Sequence, residues 1–351
     1  MKKDRSSNFE LLRILAMLLI ISFHYVFKGG FVFEGFSSNK LIVNVFTMFG
    51  ELGVNLFVLI TGYFMVHSTF RWKKVVLLML EVQFYHILSM VLLYRGNISL
   101  MLSSWDFMDF FPNLYGYYWF AVCYLLLYIF SPYLNRLITS LSKKEFQTFL
   151  LLCLILWCII PTLWGMRLNE TESMLYYNRF IWMVVIYLVG AYISIYQKED
   201  KLFSYPAKTY LLLGTLMLPC ITVLIYFMEK YLHVLSRFGL AQSIYFWRPN
   251  TIITFAWSVI LFLGFSKLNV PKIKIVNVLS STTFGIYLLH DGRISNILWQ
   301  EVFCNATHAA SKYLLLHILA ATMCIFITGA CLDLIRQALE RLLVKLIECV
   351  Q

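Results

Sequence analysis

Charge is scarce in this chain. Asp, Glu, Lys and Arg make up 13% of its residues, about half the share usual in a soluble globular domain. Long polar linkers are missing as well, so a division of the 351 residues into soluble domains has no basis. These two absences exclude a water-soluble fold, a disordered chain and a secreted disulfide scaffold. No two cysteines form a C-x-x-C pair, and most of the eight lie inside apolar runs. Zinc binding or a disulfide framework is therefore not expected; they read as small buried apolar residues. No small-x-small cleavage site follows the apolar run behind Met1-Lys2-Lys3, so that run is a retained helix and not a signal peptide. G-x-x-x-x-G-K-[ST], H-E-x-x-H and G-x-S-x-G are all absent. ATP-driven transport, zinc proteolysis and a serine esterase thus lack support.

What the chain has in abundance is apolar sequence, 60% of residues. Its runs approach 20 residues and show no period-two alternation, which reads as membrane-spanning helices and not barrel strands. Ten spans are expected at about 9–27, 43–66, 75–94, 118–135, 147–165, 179–196, 209–229, 248–266, 276–292 and 313–333. The ninth is short and carries polar residues. Segment 103–113, with Trp105, Phe107, Phe110 and Phe111, has the character of an interfacial stretch. The expected fold is an all-α polytopic membrane bundle, one domain over 1–351. The chain ends 18 residues after the last span, so no appended soluble domain is expected.

Net charge is +11. In this setting it reflects cytoplasmic loops and anionic lipid, and nucleic acid is not an expected partner. Eighteen of the 29 Lys and Arg fall in alternate segments on one side, ten on the other, and Arg13 lies within the first span. That bias puts both termini in the cytoplasm, in agreement with an even span count. The loop between the seventh and eighth spans is a basic exception on the outer side, with His233, Arg237, Trp247 and Arg248 in or beside it.

Arg13 and His24 are eleven residues apart in the first span. Eleven steps of about 100° return a helix to within about 20°, so both residues share one face, about 16 Å apart along the axis. Ionisable groups in a span usually face the bundle interior or a water-filled cavity. Taken singly, each also fits a structural role: a snorkelling arginine and a hydrogen-bonded histidine.

Arg-x10-His in a first span resembles the signature of acyltransferase family 3, membrane enzymes that modify extracellular glycans and lipids. Three further segments are similar to that family, in the same order. Phe49-Gly-Glu-Leu-Gly-Val-Asn-Leu-Phe-Val-Leu-Ile-Thr-Gly-Tyr63 resembles its second span. Tyr118-Trp-Phe-Ala-Val-Cys-Tyr124 with Ser131-Pro-Tyr-Leu-Asn135 resembles its YWF…Y…SP span. Thr283-Phe-Gly-Ile-Tyr-Leu-Leu-His-Asp291 resembles its late FGIYLIHD segment. One departure is visible: where the family often has Arg-x-x-Arg, this chain has Arg71-Trp-Lys-Lys74. Lysine keeps the charge and loses the bidentate fork.

The resemblance implies an O-acyltransferase of a bacterial cell membrane, most simply an O-acetyltransferase, moving an acyl group from cytosolic acyl-CoA to a surface glycan or its lipid-linked precursor. Acetyl-CoA would be a co-substrate, with no bound cofactor and no metal. His24 is the expected catalytic residue, as general base on a hydroxyl or as acyl carrier. Arg13, Arg71 and Lys74 are the expected donor-binding cations, although positive-inside bias accounts for the last two equally well. His290, Asp291, Trp119 and Glu51 are expected on the acceptor side or in support, Glu51 with Arg13 or His24 as partner. Tyr118 and Trp119 also suit an aromatic belt. Glu81 and His86 are five residues apart, a poor same-face spacing that argues against a catalytic dyad. The competing readings are a glycan or lipid-linked oligosaccharide flippase and a sensor or assembly subunit without turnover. Flippases often carry broken helices at matching places in two halves, and no matched pair is visible.

Overall fold

The computed structural model describes residues 6–112, 116–164, 178–231 and 248–350. Lys2, Lys3, Arg5, Arg167, His233, Arg237 and Trp247 lie outside the described residues. The described residues form helices without strands: α1 Ser7–Phe27, α2 Ser38–Met65, α3 Trp72–Leu93, α4 Ile98–Ser103, α5 Trp119–Ser140, α6 Lys143–Leu154, α7 Ile160–Trp164, α8 Arg179–Tyr196, α9 Ala207–Lys230, α10 Ile252–Ser266, α11 Lys274–Ser280, α12 Thr283–Asp291 and α13 Leu314–Val350. Eight of these segments, with α6 and α7 counted as one, are long and apolar enough to cross a bilayer. The protein is a multi-pass membrane protein.

Two of the ten expected spans look different. The eighth, expected over 248–266, is the 15-residue α10, about 23 Å long and short of the roughly 30 Å hydrocarbon core. The ninth, expected as one helix over 276–292, is broken into α11 and α12. Four hydroxyl side chains bond back to carbonyls at the break. Ser281 donates to the Val278 carbonyl at 2.7 Å, Thr282 to Leu279 at 2.7 Å and Thr283 to Ser280 at 2.9 Å, while Ser280 reaches Asn277 at 3.3 Å. Such back-bonding competes with the helix ladder. The expected interfacial stretch 103–113 contains the end of α4 and a single 3-10 turn, Phe107–Phe110. Phe107, Phe110 and Phe111 are exposed there.

α1 is the axis of the bundle, ringed by α2, α10, α11, α12 and α13. Glycine allows its closest contacts. A Cβ on Gly53 would stand 2.6 Å from the Ala16 carbonyl oxygen of α1. The α2–α8 contact is reciprocal: Gly62 lies against the Tyr187 carbonyl (2.1 Å to an added Cβ) and Gly190 against the Leu59 carbonyl (2.4 Å). Small residues that let backbones touch are how helices associate where lipid removes the hydrophobic drive. Buried asparagines tie the same helices by polar bonds. Asn55 donates to the Pro249 carbonyl (2.8 Å) and Ser258 (3.1 Å), and accepts from the Trp182 indole (3.0 Å).

One proline break is also satisfied locally. Pro161 has no N–H for the Trp157 carbonyl, the helix widens into a π-turn over Ile155–Ile159, and Asn250 donates to that carbonyl at 2.8 Å. By contrast α9 is among the most apolar helices and mostly exposed, with Leu212, Leu216, Val223 and Phe227 pointing outward. With no polar face for water, that surface suits lipid.

Gly190→Leu should force the α2 and α8 backbones apart and lower the thermal midpoint of the detergent-purified protein by roughly 5 °C or more. Gly35→Leu, with nothing within 4 Å of an added Cβ, should leave the midpoint unchanged.

Candidate functional site

A cavity of about 1090 Å³ runs along α1. It is lined from Ser6 through Glu10, Arg13, Met17, Ile20 and His24 to Lys28. This is a stripe of three- and four-residue steps, the period of one helix face. Twenty-two residues of α-helix span about 33 Å, close to the thickness of the hydrocarbon core. α2 adds Gly50, Glu51, Val54, Phe57, Thr61 and Phe64, and α3 adds Lys74, Leu78 and Glu81. Trp119, Phe120 and Tyr124 come from α5, and Thr283, Phe284, Tyr287 and Asp291 from α12. Arg13 and His24 thus open onto one space.

His24 is buried, and its two ring nitrogens have different partners. Its Nδ1 lies 2.9 Å from His290 Nε2, and its Nε2 lies 3.4 Å from Asp291 Oδ1. His290 Nδ1 in turn lies 2.6 Å from the Ile286 carbonyl oxygen. A carbonyl only accepts, so His290 carries its proton on Nδ1. Its neutral Nε2 is then an acceptor, and the proton between the two rings belongs to His24 Nδ1. In the neutral imidazole the lone pair of His24 is then on Nε2, the nitrogen beside Asp291. Asp291 is itself held by Lys28, whose ammonium also donates to Ser295 at 3.1 Å. One turn from the Lys28 end of the cavity, His24 thus donates from Nδ1 to His290 and has a carboxylate beside its Nε2.

Charged groups collect at the two ends. At the N-terminal end of α1, Glu10 binds Arg13 and accepts from Ser280 Oγ, tying α1 to the broken α11–α12 segment. Lys74 lines the same end. Arg336 of α13 joins it there, held by Glu81 at 2.9 Å, Asp333 at 2.7 Å and Glu340 at 3.0 Å. At the other end stand Lys28, Glu51, Arg179 and Arg248. The Arg179 guanidinium lies 4.5 Å from the Trp119 ring centre, a cation–π distance.

Among the residues expected from the sequence, Arg13, His24, Lys74, Glu51, Trp119 and Asp291 line the cavity. His290 stands behind His24 without lining it. Arg71 is exposed, stands at the N-cap position of α3 without a side-chain capping bond and is outside the cavity. Tyr118 is buried and also outside the lining; its neighbour Trp119 faces in. Glu51 pairs with neither expected partner: Arg13 bonds Glu10 and His24 faces His290 and Asp291. Glu81 and His86 are apart, Glu81 on Arg336 and His86 3.2 Å from Asp109.

Lys28, Glu10, Arg179, Arg336 and Asp109 were not expected. Lys28 had a signal, since it continues the Arg13–His24 stripe by one turn. Glu10 had one too, at i−3 from Arg13. Asp109 is buried between His86 and Arg293, and Arg293 also donates to the Tyr117 hydroxyl at 2.6 Å. That links the 3-10 turn to α3 and to the cavity rim.

No curated protein and no solved structure matches the chain. A family model does: the acyltransferase domain of acyltransferase family 3 matches residues 6–336. Ser6 and Arg336, the limits of that match, are also the first and last residues to line the cavity. A family domain matched almost end to end, in a chain with eight helices long and apolar enough to cross a bilayer, places the chain in acyltransferase family 3, as a multi-pass membrane acyltransferase.

Proposed function

We propose that this acyltransferase is an O-acetyltransferase of a bacterial cytoplasmic membrane. It moves the acyl group from cytosolic acetyl-CoA to a hydroxyl of a surface polysaccharide or its lipid-linked precursor. The observation that carries the reading is the cavity that continues past His24 in both directions, from Ser6 to Lys28. A donor with a long arm enters from one side and an acceptor from the other, and they meet at the imidazole. With α10 and the α11–α12 pair counted as crossings, the span number is ten and both termini face the cytoplasm. The Arg13, Lys74 and Arg336 end is then the donor end. Arg13 and Lys74 hold donor phosphates there, and exposed Arg71 adds positive potential near the entrance.

His24 Nε2 takes the proton of the acceptor hydroxyl while the hydroxyl oxygen attacks the thioester carbonyl carbon. The new C–O bond forms, the C–S bond breaks, and the imidazolium returns its proton to the departing thiolate, giving the ester and free CoA. His290 keeps His24 in the required tautomer. Asp291 stabilises the imidazolium, and Lys28 keeps that carboxylate in place. Trp119 and Glu51 lie on the acceptor side. Direct transfer uses Nε2 as the base; in an acyl-histidine route the same nitrogen would carry the acyl group and the hydroxyl would need a different base. No step needs a metal; a reversible loss of transfer on chelation would count against that.

Transfer of label from radiolabelled acetyl-CoA to a lipid-linked glycan extract tests the reading in detergent-purified protein. His24→Ala should reduce transfer by about 100- to 10,000-fold, the usual contribution of a general base. Retained function in folded His24→Ala would instead favour a flippase or a non-catalytic subunit. Arg13→Ala should raise the half-saturating acetyl-CoA concentration on the order of 10-fold, the loss expected for one charge-assisted hydrogen bond.

Asp291→Asn removes the charge beside the imidazolium and keeps the shape. It should lower the turnover rate by about 10-fold or more and leave the half-saturating acetyl-CoA concentration within about 2-fold, since the donor end lies at Arg13. Steady-state rates at varied acetyl-CoA separate the two effects.

A further inference from the structure

Four carboxylates line the cavity: Glu10, Glu51, Glu81 and Asp291. Three are occupied. Glu10 holds Arg13 and Ser280, Glu81 holds Arg336, and Asp291 holds Lys28. Glu51 differs. Its Oε2 is buried and has no hydrogen-bond partner among the described residues. The cation that acts on it is Arg179, whose guanidinium stacks on Trp119. A buried carboxylate oxygen left unbonded costs free energy, and inside a membrane protein such a group normally meets a partner or a substrate.

The depth of Glu51 is fixed by its neighbour. Gly50 packs on Phe23 so closely that an added Cβ would lie 2.3 Å from the ring. Phe23 immediately precedes His24. α1 and α2 run antiparallel, since Gly50 meets Phe23 and Gly53 meets Ala16 and Ile20. Glu51 and His24 are therefore at one level, on adjacent helices, facing one cavity. A molecule presenting a hydroxyl to His24 Nε2 brings its other polar groups to Glu51.

We propose that Glu51 is a specificity-determining residue for the acceptor. Its free oxygen accepts the O–H of a second hydroxyl while His24 takes the proton of the reacting one. The acceptor is therefore polyhydroxylated, and Glu51 selects which of its hydroxyls is acylated. A hydroxyl on a carboxylate makes a charge-assisted bond. A substrate seated with the wrong hydroxyl on His24 leaves that bond unmade, the arrangement that gives strong discrimination. This rests on the acyl-transfer reading above.

The test uses the full chain in detergent, radiolabelled acetyl-CoA and the lipid-linked glycan extract as acceptor probe. Wild type, Glu51→Ala and Glu51→Gln are compared at varied extract and varied acetyl-CoA, and the position of the new ester is read by NMR. Acetyl-CoA binding and the thermal midpoint are measured on the same samples. Glu51→Ala should raise the half-saturating extract concentration on the order of 10-fold, leave acetyl-CoA binding within about 2-fold, and yield ester at more than one hydroxyl. Glu51→Gln keeps an accepting oxygen and should restore most of the positional selectivity. A single ester position and unchanged extract saturation in both variants would overturn the proposal and leave Glu51 as a water-filled structural carboxylate. Equal loss of acetyl-CoA and extract affinity, or a collapsed midpoint in Glu51→Gln, would overturn it in favour of a packing role. Wild type that neither binds acetyl-CoA nor transfers label would refute the acyl-transfer reading itself, an outcome separable from the others.

Discussion

A neutral imidazole buried in a membrane bundle is useful as a base only if its lone pair is on the nitrogen that faces the cavity. Nothing in an isolated histidine decides this, because the two neutral tautomers differ little in energy. Here the decision begins at the Ile286 carbonyl, a group that can only accept. It fixes the proton of His290 on Nδ1, and His290 Nε2 then fixes the proton of His24 on Nδ1. Two hydrogen bonds thus transmit the polarity of one backbone carbonyl to the far side of a second ring. Much of the surrounding structure serves to keep that chain of bonds in register.

The break between α11 and α12 is part of that register. α12 restarts at Thr283 and ends at Asp291, so His290 and Asp291 stand on its last turn beside α1. Both nitrogens of His24 are then addressed by consecutive residues of one short helix. The hydroxyl run from Ser280 to Thr283 that ends α11 also supplies the Ser280 bond to Glu10. The restart is anchored to α1 a long way from the histidines. Close backbone packing through Gly53 keeps α2 against the same stretch of α1, so the wall carrying Glu51 moves with the wall carrying His24.

How legible this was depends on sequence separation. Arg13, His24 and the shared face follow from helical period alone, because eleven residues of one helix carry the geometry with them. Lys28 and Glu10 were open to the same reasoning, one turn beyond and one turn before. The pairing of His24 with His290 bridges 266 positions, and no local rule reaches across that distance. Arg179 beside Glu51, and Asp109 between His86 and Arg293, are hidden for the same reason. Span existence was read from apolar runs with little error in α1, α2, α3, α8 and α9. The break between α11 and α12 does not follow from apolarity, which marks a buried or lipid-facing stretch without saying whether its helix is continuous; the hydroxyl run Ser280–Thr283 at the break is its one local sign.

The charges along the cavity divide by how tightly they are held, and that division bears on the proposed chemistry. Arg336 is enclosed by three carboxylates on two helices, so an incoming phosphate would have to compete with three anions already in place. It is a clamp between α3 and α13 more than a site for a ligand. Arg13 has one carboxylate, on its own helix. Lys74 has none among the described residues and rests near the Tyr128 ring at 5.7 Å. An anion therefore gains most at Lys74, less at Arg13 and least at Arg336. A single compact ammonium without a fork suits a phosphate held as a point charge, one that can slide as its long arm reaches inward. Under the proposed acyl transfer from CoA, this ordering would make the lysine that stands where the family often has the second arginine of Arg-x-x-Arg the donor end's principal contact, with Arg71, exposed and outside the cavity, contributing potential and not a bond.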